Sequence, residues 1–367
     1  MIEMIMLSLI LNLDTSGTLA PEWERRAECL ILTANADMLM DLVANNPYLV
    51  TQDKSSTDMF NVYDQCPCHS GKKAKFCCLV GKTWDKKPVL LTVEEPPSTY
   101  MHSKCYAKNS CDCVTKISGE HYISEYLLNN LGDEIAVNIS GLPWFPLDEV
   151  KQVPKKALVA NVLCERHNRL LSPYDNEMGR FHKILHNYDL GFQIDQPVEE
   201  FEIFCGEDLE RWMLKTACTF IASKQIFVGE EQIDVELKES YVDILFRGCD
   251  FSEGCGLYTD ARDGVIQYHN YIRFSFLIIG DALKSMKMVM NGLTLYLVIE
   301  SPRTIQDGMV YRPRGVEFKK GYVKKTMEIS WQNKKLNQGI FLTHQNLVTK
   351  TKQAWDDNIF SKDFNPK

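Results

Sequence analysis

No run in this 367-residue chain approaches the roughly 20 consecutive apolar residues that a transmembrane helix needs, so no membrane role is expected. The apolar run Met4 to Leu13 follows Glu3, with no preceding Lys or Arg and no small-residue cleavage site. It reads as a buried strand or helix and not as an export signal. An excess of positive charge is missing too. The 41 Lys and Arg face 49 Asp and Glu, and a net charge of −8 argues against a wholesale electrostatic nucleic-acid binder. There is no glycine-rich phosphate loop, nucleophile elbow or dinucleotide fingerprint, and the glycines from Gly248 to Gly256 precede no helical pattern. No repeat of solenoid or propeller period is present.

What is present is a composition able to bury a sizeable core, with 45% hydrophobic and 25% charged residues, in a chain long enough for two or three domains. Thirteen cysteines are the outlier. Their odd number in a long chain without an export signal points to metal thiolates in a reducing, cytoplasmic setting rather than to a disulfide framework.

Four regions follow from the patterning, and together they predict an α+β protein. Residues 1–61 form a mixed segment, helical from Trp23 to Met40 and stopped at Asn45-Asn46-Pro47. A cysteine-rich module spans 62–87, a second cysteine and histidine unit 100–190, and a β-rich domain with flanking helices 195–367. The stretch Val93 to Thr99 reads as a linker. Ser172-Pro173-Tyr174-Asp175 has the form of a helix start, with Ser172 as cap, Pro173 at the first position and Asp175 near the exposed amides. A second helix is predicted from Glu207, with Leu209, Trp212, Met213, Thr216, Ala217, Phe220 and Ile221 on one stripe. From about Gln225 to Gln332, short alternating runs between turns predict an antiparallel sheet or sandwich. Charge is uneven. Tyr188 to Asp260 holds 17 acidic and 5 basic residues, Ser301 to Gln353 only 3 acidic and 11 basic. The lysine pairs Lys319-Lys320, Lys324-Lys325 and Lys334-Lys335 lie beside turns and read first as a solvated face, although that part could also meet phosphates.

The segment CPCHSGKKAKFCC, from Cys66 to Cys78, places four thiols within thirteen residues. A Cys-x-Cys turn and a Cys-Cys pair can each present two sulfurs to one tetrahedral ion, so Cys66, Cys68, Cys77 and Cys78 are expected to form a closed structural zinc site. Lys72, Lys73 and Lys75 offset thiolate charge. The segment resembles the SEC-C motif, with His69 where that motif usually carries glycine. The resemblance implies zinc and a surface for protein partners.

In the second unit Cys164-x2-His167 has metal-ligand spacing, and Cys105 and Cys113 can supply two further ligands, with Cys111 an alternative to Cys113 or to His167. Glu120-His121 on a short apolar strand and Asn168 directly after the Cys-x2-His resemble the HNH, or ββα-metal, endonuclease motif on a treble-clef zinc scaffold. The resemblance implies hydrolysis of nucleic-acid phosphodiesters, DNA before RNA. His121 would be the general base, and Glu120 and Asn168 would hold a catalytic Mg²⁺ or Mn²⁺. The sequence departs from that motif in the 42 residues between His121 and Cys164, which include the apolar loop Gly141 to Pro146. It departs also in its Cys-x7-Cys knuckle and in the middle asparagine, for which Asn161 and Asn138 are the candidates. The alternative is a non-catalytic, zinc-stapled module that binds protein or nucleic acid on a degenerate HNH fold. His182 and His186 read as ordinary helix residues, Cys29, Cys205 and Cys218 as core residues, and Cys249 and Cys255 as turn and strand cysteines.

Overall fold

The computed structural model describes residues 9–12, 60–92, 98–131, 135–140, 151–191, 199–228, 231–260, 264–267, 271–300, 308–320, 323–332 and 339–345. The helix expected at 23–40, the loop 141–146 and Cys29 lie outside these residues. The architecture is mixed α+β. In chain order the first elements are β1 (Leu9–Asn12), β2 (Leu79–Val80), β3 (Thr83–Trp84), β4 (Ile117–His121), α1 (Glu125–Asn130), β5 (Ala136–Ser140), β6 (Lys151–Pro154) and β7 (Val159–Cys164). Then come α2 (Glu165–Gly191), β8 (Glu199–Cys205), α3 (Gly206–Ala222), β9 (Phe227–Val228), β10 (Glu231–Gln232) and α4 (Glu239–Phe246). Strands complete the chain: β11 (Gly256–Asp260), β12 (Val265–Gln267), β13 (Tyr271–Ile279), β14 (Ala282–Met290), β15 (Leu293–Val298), β16 (Met309–Tyr311), β17 (Gly315–Lys320), β18 (Val323–Ser330) and β19 (Gly339–Gln345).

The larger sheet has eight strands in the order β16-β11-β15-β14-β13-β1-β5-β6, with every neighbouring pair antiparallel. Alternation builds its inner face. Phe274 pairs with Met288 and Met288 with Leu295; Phe276 pairs with Met286 and Met286 with Leu297. All six side chains are buried, because residues two apart on a strand share one face. The β14–β15 turn is Asn291-Gly292, both at positive φ (49° and 92°), as a two-residue hairpin loop requires. Strand β1, from the apolar run near the start, enters between β13 and β5.

The smaller sheet, β12-β19-β17-β18-β8, corrects the antiparallel expectation. Only β17–β18 is antiparallel, whereas β12–β19, β17–β19 and β18–β8 are parallel. Parallel neighbours need long crossovers, and β8 reaches β18 only after the chain has passed through α3 and most of the larger sheet. On this sheet Lys319 and Lys324 pair with Glu317, and buried Lys325 pairs with Glu200. These basic residues are therefore engaged with carboxylates, as a solvated or packed face would have them.

Helix α3 is buried at every position from Gly206 to Ile221, more than its one-sided apolar stripe predicts. It packs on α2, α4, β7, β11 and β15. Its charged residues become tie points. The Glu207 carboxylate accepts from Gln332 N at 2.6 Å, and Asp208 accepts from Val89 N at 3.2 Å. Glu210 accepts from Leu257 N and from both ends of the Arg312 guanidinium. The helix starts on glycine for a steric reason: a Cβ at Gly206 would lie 2.4 Å from the Trp331 ring. Gly206→Ala is expected to cost about 1–3 kcal/mol through overpacking, read as a fall in urea midpoint at unchanged m-value.

The helix expected to start at Ser172 instead runs unbroken from Glu165 to Gly191, with Pro173 inside it. Proline lacks the N–H that would bond the carbonyl four residues earlier, that of Arg169. The Ser172 hydroxyl donates to that same carbonyl, so Ser172 repairs the helix rather than capping a new one. Asp175 correspondingly faces α3 and accepts from Trp212 Nε1 and Lys215 Nζ. No described helix is long and apolar enough to cross a membrane, and no described cysteine is in a disulfide.

Candidate metal centres and active site

Cys66, Cys68, Cys77 and Cys78 converge, with all four sulfurs within 4.8 Å of one another. Cys68 and Cys77 sulfurs are 3.4 Å apart, those of Cys77 and Cys78 3.7 Å. Tetrahedral zinc with ~2.3 Å bonds needs sulfurs about 3.8 Å apart, so this set can hold the ion. The loop closes locally: Cys66 N donates to Lys72 O, and His69 N to Cys66 O. His69 stands at φ 61°, the left-handed region that suits glycine, and its Nε2 lies 2.8 Å from the Glu202 carboxylate. Burial pushes the Cys66 thiol up to about 11, while hydrogen bonding from Cys78 holds Cys68 down to about 3. Four crowded thiols cannot all ionise unaided, and a divalent cation supplies the charge that would let them.

The module docks on β8. Phe201 and Ile203 are buried with its cysteines and Trp84, and Phe60, Trp84 and Phe201 form an aromatic triad with centroids 5.2–5.5 Å apart, Phe60 edge-on to Trp84 and the other two pairs tilted. Arg180 of α2 pairs with Glu202, and Lys86 pairs with Glu177 at 2.6 Å. One face of the module is thus taken up within the chain.

Cys105, Cys113, Cys164 and His167 form the second cluster, all four buried. His167 Nδ1 lies 3.2 Å from Cys164 Sγ, 3.4 Å from Cys105 Sγ and 3.8 Å from Cys113 Sγ. Its Nε2 lies 2.8 Å from the Ser110 hydroxyl, which itself donates to Ala107 O. Ser110 must therefore accept from Nε2–H, which leaves the Nδ1 lone pair directed at the thiols, as a metal-bound imidazole requires. Cys111 is exposed, in a left-handed turn, and outside the cluster, so the ligand set includes Cys113 and His167 without it. Strand β4 pairs with β7 in the register Ile117↔Cys164 and His121↔Val159, which carries the Glu-His strand alongside the ligand strand.

The three residues proposed for hydrolysis lie on this unit in different settings. Glu120 is 2% exposed, and its Oε1 is 2.7 Å from the ammonium of Lys215, which also pairs with Asp175 at 2.5 Å. Burial raises the Glu120 carboxyl to about 7 despite the lowering effect of Lys215. Burial alone would lower Lys215, but Asp175 and Glu120 outweigh it and hold the amine above its ordinary value. His121 is half-buried, and burial holds it below the usual histidine value, with Glu125 acting in the opposite direction. Asn168 Nδ2 donates to Ser118 Oγ at 2.8 Å and to Gly119 O at 3.3 Å, tying α2 to β4. Among the described residues no further His, Cys, Asp and Glu grouping has metal-ligand spacing.

Sequence reasoning missed Lys215 and Ser110, and it placed Asp175 at the amides of a helix start and not beside Lys215. A lysine in a helix otherwise buried all round was the available signal for Lys215, but its partner Glu120 is remote in sequence. His182 is buried, with Nε2 3.1 Å from Asn291 Oδ1, a packing role on the β14–β15 turn. Cys205 and Cys218 are buried core residues, Cys255 is buried and Cys249 exposed. No family model, no curated protein and no solved structure matches this chain.

Proposed function

We propose that this chain is a non-catalytic, zinc-stapled interaction protein, in which a SEC-C-like module and a degenerate HNH-like unit serve as binding scaffolds for nucleic acid or protein. The observation that carries the reading is the buried Glu120–Lys215–Asp175 group. A carboxylate that is to hold Mg²⁺ or Mn²⁺ must face solvent and substrate phosphate, together with waters that complete the shell. Here the charge that would neutralise Glu120 is a lysine of the same chain. Asn168 uses its Nδ2 to tie α2 to the hydroxyl and backbone of β4.

One observation favours the alternative, hydrolysis by an HNH-type site. His121 is held in its neutral, basic form near pH 7 and is only half-buried, which suits a general base. The two readings separate in a cleavage assay. Zinc-loaded protein with added Mg²⁺ or Mn²⁺ is expected to cleave plasmid DNA and structured RNA no faster than its His121→Ala variant, with both proteins retaining two zinc equivalents. Divalent-dependent cleavage that His121→Ala abolishes would overturn the scaffold reading in favour of the nuclease.

A further inference from the structure

The first cysteine module also carries an exposed surface outside its contact with β8. Tyr63 is 56% exposed and Phe76 is 70% exposed, with Val62 and Val80 also outside. Tyr63 and Phe76 come together through the Lys75 turn. Lys75 N donates to Val62 O, and Gln65 bridges Lys73 across the same turn. The Lys75 ammonium lies 3.8 Å from the Tyr63 ring centroid and 4.5 Å from that of Phe76, and Lys73 is 5.6 Å from Tyr63. Among the described residues, no carboxylate pairs with Lys72, Lys73, Lys75 or Lys82, whereas Lys86 and Lys87 of the same module are paired. The module's only acids are Asp64, which is exposed and accepts from Asn61 N, and buried Asp85. The four unpaired lysines outnumber Asp64 and the two negative charges of a zinc tetrathiolate together. In a chain of net charge −8, Lys73 and Lys75 thus set positive charge against two exposed rings.

We propose that this face binds single-stranded nucleic acid. Lysines alone would serve any polyanion, and the rings decide between partners. Exposed aromatic side chains set among lysines offer stacking platforms for bases while the ammoniums meet the backbone, the combination that single-strand binders use. A carboxylate-rich peptide would use the lysines and leave Tyr63 and Phe76 without a function. The surface shares no residue with the Glu120–Lys215–Asp175 group or with His121, so the assignment stands or falls independently of the cleavage assay.

The test is fluorescence anisotropy of the zinc-loaded full chain with a labelled oligothymidylate of about 15 nucleotides across a salt series. Binding is expected at low salt and to weaken as salt rises. Tyr63→Leu and Phe76→Leu, which keep apolar bulk but remove the ring, are each expected to lower affinity about tenfold, and Phe76→Trp to restore it. Lys73→Ala with Lys75→Ala is expected to reduce the slope of log affinity against log salt by about 0.7 per lysine. Zinc content at two equivalents shows that each variant keeps the module, and the Trp and lysine variants decide the matter if a Leu variant loses metal. The proposal is overturned if no salt-dependent binding occurs, or if the ring variants bind like the parent protein. It is equally overturned if polyglutamate displaces the strand as well as unlabelled oligothymidylate does, which would assign the face to an acidic polypeptide.

Discussion

Cys164→Ser is expected to lower bound zinc from two equivalents to one and to destabilise the whole body of the protein, not the second zinc unit alone. Cys105, Cys113 and Cys164 belong to the same continuous core as Phe274, Met286 and Phe318, so the unit has no separate apolar interior to fall back on. Cys164 also ends β7 at the point where α2 begins, and that helix supplies His167 to the second cluster and carries Glu177 and Arg180 toward the first module. Binding free energies of about 10–16 kcal/mol for small zinc-dependent units set a ceiling, and a loss of several kcal/mol is expected here. Metal analysis with thermal unfolding reads both effects. Cys68→Ser is the informative comparison: it removes the other equivalent but leaves the main core intact, so its Tm should fall far less. Cys111→Ser, outside both clusters, should change neither quantity. If Cys164→Ser retained two zinc equivalents, the second ligand set would be wrong.

Lys215→Met is expected to destabilise the protein by about 3–5 kcal/mol, because it strands Glu120 and Asp175 beside each other with no buried cation. Glu120→Gln should be nearly silent, within about 1 kcal/mol, since burial already favours the neutral carboxyl that Gln resembles and Asp175 remains to pair Lys215. The sign of the pH effect follows. The folded value of Glu120 is raised above its unfolded value, so its contribution is fully present below pH ~4.5 and is lost as pH rises through about 7. Between those limits Glu120→Gln should gain on the parent protein with rising pH, after allowance for acid release of zinc from the thiolates in both. Urea titrations from pH 5 to pH 8 measure this. A Lys215→Met protein as stable as its parent would remove the ground for treating Glu120 as structural.

The contrast between these residues shows where sequence reading succeeds. All eight cysteine and histidine residues of the two candidate zinc clusters were legible. Cys66, Cys68, Cys77 and Cys78 lie within thirteen residues, and a short backbone can bring them together in few ways. The second set spans more chain, but each half is itself local, and the pairing of β4 with β7 joins them. Ser110 was harder to find, because a hydroxyl that orients a ligand histidine has no spacing rule. The Ser172-Pro173 signal misled for an equally local reason. Its residues suit a helix start and also suit the repair of a helix already under way, and only the preceding turn from Glu165 distinguishes the two.

The sequence by itself determined the ligand chemistry, the mixed α+β class, the apolar stripe of α3 and the alternation of β13 to β15, because each depends on residues a few positions apart. Tertiary structure alone decided what the charged residues do. Lys215 meets Glu120 and Asp175, Arg312 meets Glu210, Asp208 meets the amide of Val89, and β8 joins β18 in parallel, all across long separations that no periodicity records. Burying a charge is costly unless a partner arrives, and which partner arrives is a property of the packed chain. For that reason a Glu-His pair that looks like a nuclease strand in sequence becomes, once folded, a half-open histidine beside a buried ion pair.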